Sequence, residues 1–65
     1  MHIQAYIQEL STYNQNTLRL NTTIGEITAH LVDMSQWDRL YNLLNKRFTV
    51  AIVKQEDEEF WIRLV

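Results

Sequence analysis

The sequence contains no proline and no cysteine, and Gly25 is its only glycine. Each absence excludes something. Without cysteine there are no disulfides and no thiolate metal sites, which fits a reducing cytoplasm. Without proline, no edge strand is blunted by a missing donor. A single glycine cannot build a glycine-rich phosphate loop. No apolar run reaches the ~18 residues of a membrane span. The opening residues Met1, His2, Ile3, Gln4, Ala5 and Tyr6 have neither the basic nor the apolar region of a signal peptide. Charge of one sign is scarce as well. A net charge of −2 is too small to attract nucleic acid in bulk, and too small for a whole-surface DNA mimic.

What is present is ordinary for a globular domain. Apolar residues make up 46% of the chain and charged residues 22%, too apolar a mixture for disorder. Sixty-five residues form one domain, 1–65. A chain this short buries only about 60% of its unfolded surface, so it gains from a partner or from self-association.

The clearest pattern lies in residues 35–46. Trp37, Leu40, Tyr41 and Leu44 fall at i, i+3, i+4 and i+7, and Leu43 widens that stripe. The spacing predicts an α-helix with Ser35 as its cap, Asp38 in its first turn, and Lys46 and Arg47 closing its last turn. Residues 48–54 and 60–65 are β-branched and aromatic runs around a charged turn, 55–59, and predict a hairpin. Upstream, Ile3, Ala5 and Ile7 alternate with polar neighbours, as do Leu18 and Leu20, predicting two strands around a polar turn at residues 11–16. Residues 26–32 fit two descriptions. Ile27, Ala29 and Leu31 alternate as a strand, with Gly25 in a turn or bulge before it. Thr23 and Glu26 alternatively form a capping box that opens a helix. Strand is the favoured reading. The expected fold class is α+β: a small antiparallel sheet of four or five strands, β-β-β-α-β-β or β-β-α-β-β, with one helix packed on one face. The other face then carries Tyr6, Val32, Ala51, Val53, Trp61 and Val65, more apolar surface than water needs to cover, which predicts a partner or a homodimer.

No constellation of catalytic residues emerges. His2 and His30 lack metal-ligand spacing, and Ser11, Thr12 and Ser35 have no base nearby. The expectation is a non-enzyme with no cofactor and no metal. Two features remain. Glu56, Asp57, Glu58 and Glu59 place four carboxylates at a hairpin tip. Such a run serves either as a solvated turn or as an acidic finger for an arginine- or lysine-lined groove. Trp61 alternates out of phase with Phe60, Ile62 and Leu64, so it faces away from the helix and is the candidate interface anchor, with Tyr6 and Val53 on the same face. Aromatics on an open sheet also stack nucleobases, but no aromatic and basic motif accompanies them here.

Tyr6, Ile7, Leu10, Tyr13, Asn14 and Leu18 fall on a strand–turn–strand pattern that resembles the opening of ArdA-type antirestriction proteins. Asn16 stands where that family has a glycine, its second-strand tryptophan is missing, and the family is longer and more acidic. In size and make-up the chain is also similar to small phage and mobile-element proteins that block bacterial defence, anti-CRISPR proteins among them. The resemblance implies a non-enzymatic inhibitor in the host cytoplasm that binds a nucleic-acid-processing defence complex. Two other functions stay open: a single-stranded nucleic-acid-binding or replication accessory module, and a self-associating structural protein.

Overall fold

The computed structural model describes residues 1–11 and 17–65. Among these residues five strands form in chain order: β1 (His2–Ser11), β2 (Thr17–Thr22), β3 (Gly25–Leu31), β4 (Phe48–Glu56) and β5 (Glu59–Leu64). One 3-10 helix, Met34–Asn42, lies between β3 and β4. The strands close into a barrel in the order β1-β2-β3-β5-β4, with β4 returning beside β1. Strands β4, β1, β2 and β3 thus lie side by side in the Greek-key order.

This corrects the α+β expectation. The inward residues are those that alternation marks, among them Ile3, Ala5, Leu18, Leu20, Ile27, Ala29 and Leu31. They pack against one another across a closed sheet, not against an α-helix on an open one. An inward-facing stripe has the same period in both architectures. Two features decide for closure. A register shift at Gln8 in β1 and another at Val53 in β4 each insert an extra residue, which bends the strand. Then β3 and β5 pair in parallel, Thr28 opposite Glu59 through Leu31 opposite Ile62, and seal the barrel. The sheet is therefore mixed, not antiparallel throughout.

The predicted α-helix is also corrected. Its buried or core-packed residues are Trp37, Leu40 and Leu43, at i, i+3 and i+6. That spacing is one edge of a helix with three residues per turn. Tyr41 and Leu44, which an α-helical stripe would bury, are exposed. The 3-10 form rises about 2.0 Å per residue against 1.5 Å in an α-helix, so a short connection reaches further. The cap is Asp33, not Ser35: its Oδ1 accepts the Ser35 N–H at 3.0 Å and the Ser35 hydroxyl at 2.6 Å. The Ser35 hydroxyl, then the Ser35 N–H and the charge of Arg63, hold the Asp33 carboxyl below its ordinary value, against a smaller opposing effect of desolvation. The helix stops at Asn42, before Lys46 and Arg47. Asn45 then adopts φ 63°, which asparagine tolerates better than most residues.

Of the two descriptions of residues 26–32, the structure has the strand. Thr22 and Gly25 pair across a Thr23-Ile24 turn, and Gly25 takes φ 108°. The Thr22 hydroxyl accepts the Ile24 N–H and donates to the Gly25 carbonyl. The polar turn expected within residues 11–16 falls largely outside the described residues, since Ser11 ends β1.

Candidate functional site

The β4–β5 hairpin is tighter than its charged sequence suggests. Strand pairing continues to Glu56 opposite Glu59, leaving only Asp57 and Glu58 as the turn. Asp57 adopts φ 54° there. The four carboxylates are consequently not equivalent. Lys54 Nζ lies 3.0 Å from Glu56 Oε2. His30 Nε2 lies 2.5 Å from Glu59 Oε1, and because a carboxylate only accepts, the histidine nitrogen is the donor. Both pairs are solvated on the carboxylate side, so each contributes orientation more than stability.

Trp61 faces outward between two cross-strand neighbours. On the parallel side, His30 is its register partner and stacks on the indole at 5.0 Å and 30°. On the antiparallel side, Lys54 is its partner, with Nζ 5.1 Å from the ring centroid. Because β3 and β4 flank β5 from opposite sides, both approaches to the indole are occupied. Trp61 is half-buried as a result. The outer wall carries one continuous row: Glu59, His30, Trp61, Lys54 and Glu56.

The other two sequence candidates lie elsewhere. Val53 is the extra residue of the β4 bulge and is 49% exposed beside Lys54. Tyr6 is on β1, separated from β5 by β4, with the Arg47 guanidinium 6.0 Å from its ring centroid. Tyr6 and Arg47 line a second groove, of about 360 Å³, with Gln4, Asn21 and Thr22. The structure therefore joins Trp61 to the acidic hairpin and leaves Tyr6 on a different wall.

The strand topology also creates a groove that the sequence did not signal. Asp57 and Glu58 face the first residues of β3 across a space of about 450 Å³. Ile27 and Phe60, both buried, line it with Ile24, which is 48% exposed. Arg19 and Glu26 also line it and form an ion pair with each other. Phe60 and Ile27 come together only because β5 starts beside the middle of β3, a long-range register with no local signature.

Among the described residues there is no group of three or more metal-ligating side chains, and no buried polar or charged residue. Among the same residues, no helix is long and apolar enough to cross a membrane. The chain matches no family model, no curated protein and no solved structure.

Proposed function

We propose that this chain is a non-enzymatic binding module that docks on a cationic protein surface through the acidic end of its barrel. It acts stoichiometrically, as an inhibitor or adaptor, in a cytoplasmic setting. One observation carries the reading. Asp57 and Glu58 line a groove of mixed polar and apolar character in which, among the described residues, the one cation, Arg19, is already paired with Glu26. Carboxylates there attract basic partners and repel phosphates, while Ile24, Ile27 and Phe60 offer apolar contact. An anti-defence role rests on the likeness in size and make-up to small anti-defence proteins and on the resemblance at the N-terminal hairpin. Tyr13 and Asn14, which carry part of it, lie outside the described residues.

A second reading comes from architecture. Five-stranded Greek-key barrels include folds that bind oligonucleotides across strands 2 and 3 and the neighbouring loops. That is analogy at the level of fold. The corresponding face here carries the Arg19–Glu26 pair and ends at an acidic turn, and Trp61 is already stacked with His30 and lies under Lys54 Nζ. The test compares wild-type protein with the Asp57→Asn/Glu58→Gln variant as baits in nuclease-treated lysate of the encoding organism, at low and high salt. A protein held by the wild type and released both by the substitutions and by salt supports the reading. Equal recovery on both baits overturns it. Saturable binding of a labelled oligonucleotide with a steep salt dependence favours the alternative.

A further inference from the structure

The parallel seam between β3 and β5 is incomplete at one end. Strand β3 pairs with β2 from Gly25 onward, but its pairing with β5 starts only at Thr28. Residues 25–27 therefore have β2 on one side and, among the described residues, no strand on the other. What faces that free side is the groove, with the Asp57-Glu58 turn beyond it. The space beside the turn is open as well: a Cβ placed on Gly25 would meet nothing within 4 Å. Gly25 and Glu26 are exposed, and Ile24 leads into them with its side chain half in water.

We propose that this free side of β3 is a strand-addition site, and that its occupant is an extended peptide segment in which basic and apolar residues alternate. The inference rests on the reading that the acidic end of the barrel meets a cationic protein, and it specifies the form that partner takes. The main chain of the guest bonds to the N–H and carbonyl of Glu26, which point to the unpaired side because Val32, six residues on, donates to β5. In this mode backbone supplies affinity and alternate side chains supply specificity. Alternation then assigns the guest's two faces. Side chains on its inner face rest on Ile27 and Phe60, so they are apolar. Side chains on its outer face stand between Glu26 on one flank and Asp57 and Glu58 on the other, so they are lysine or arginine. Glu26 already holds Arg19, leaving the turn carboxylates as the main charge partners. A volume of about 450 Å³ accommodates a short segment and not a long one. Short, charged edges also serve simply to discourage pairing, and the experiment separates the two roles.

The probe is an end-blocked peptide alternating lysine and valine, titrated into isotopically labelled full chain. Two control peptides accompany it: one with glutamate in place of lysine, and one with lysine and valine kept but alternate backbone nitrogens methylated. The expected result is amide shifts confined to residues 24–28 and 57–60, and slowed amide exchange at Glu26. Affinity should fall at least about fivefold on backbone methylation, as expected for lost main-chain hydrogen bonds. Binding should also weaken in Asp57→Asn/Glu58→Gln, and the glutamate peptide should not bind. Equal binding of the methylated and unmethylated peptides overturns strand addition while leaving a cationic partner intact. Binding that survives in the double variant, or that favours the glutamate peptide, overturns the basic occupant. Failure of every peptide to shift residues 24–28 overturns the site itself, independently of what the capture experiment recovers.

Discussion

The two ends of the β3–β5 seam solve one problem in different ways. Both ends leave strand backbone beyond the last paired rung. At one end the chain supplies its own partner. Val32 N–H donates to the Ile62 carbonyl at 2.9 Å, and the Gln36 side-chain amide then adds a further rung. Its Nε2 donates to the Leu64 carbonyl at 3.1 Å, and its Oε1 accepts the Leu64 N–H at 2.9 Å. Trp37 and Leu40 from the same helix enter the core there. At the other end nothing of the kind occurs among the described residues: residues 25–27 face a groove rimmed by two carboxylates. An edge filled by the chain's own amide belongs to the fold. An edge left beside uncompensated charge is available to something else.

The contrast predicts that substitutions at the closed end cost stability and those at the open end do not. The largest effect is expected from Leu40→Ala. Leu40 is fully buried, and such truncations cost about 2–5 kcal/mol, most of what a domain of this size commands. Ile24→Ala at the open end should stay within about 0.5 kcal/mol. Equal denaturant midpoints for the two variants would erase the distinction. Next comes Gln36→Ala, which strands the N–H and carbonyl of Leu64 and should cost about 1–3 kcal/mol. Faster amide exchange at Leu64, with the β4–β5 hairpin otherwise protected, is the accompanying signature.

Gly25→Ala tests the open end through backbone alone. The added methyl meets no atom, so any loss reports the φ of 108° and should be about 1 kcal/mol. A loss no greater than Ile24→Ala would show that the turn relaxes freely.

The smallest effect concerns pH at the closed end. The Asp33 carboxyl is held below its ordinary value, chiefly by the Ser35 hydroxyl. Its contribution is complete above the unfolded value near 3.8 and disappears as pH falls through the lowered folded value. Thermal melts of wild type and Asp33→Asn should therefore converge in strong acid and separate as pH rises. Parallel curves would remove Asp33 from the account of acid stability.

In the acidic hairpin, local pattern and long-range pairing fix different things. The charge run and the outward orientation of Trp61 follow from composition and alternation. That Glu56 and Glu59 are tied to Lys54 and His30, leaving Asp57 and Glu58 at the groove, does not. His30 is nearly thirty positions from Glu59, and nothing local announces the pairing. Replacing all four carboxylates would thus disturb two side-chain pairs as well as the rim, and only the Asp57 and Glu58 substitutions isolate the groove.

Sequence by itself determined which residues go inside. Ile3, Ala5, Leu18, Leu20, Ile27, Ala29, Leu31, Phe60, Ile62 and Leu64 are buried because period-two alternation marks one face of each strand. The terminal hairpin was equally legible, since both runs and their turn are contiguous. Only tertiary structure decided what that face meets. Alternation is blind to whether a sheet stays open beneath a helix or curls until it faces itself. The bulges at Gln8 and Val53 carry no glycine or proline to betray them, and a parallel partner across a long connection leaves no mark on either strand. The helix followed the same logic. Trp37, Leu40, Tyr41 and Leu44 fit a 3.6-residue period and Trp37, Leu40 and Leu43 a three-residue one, and the geometry of the barrel's end selected the second by packing Leu43 on the core and leaving Tyr41 in water.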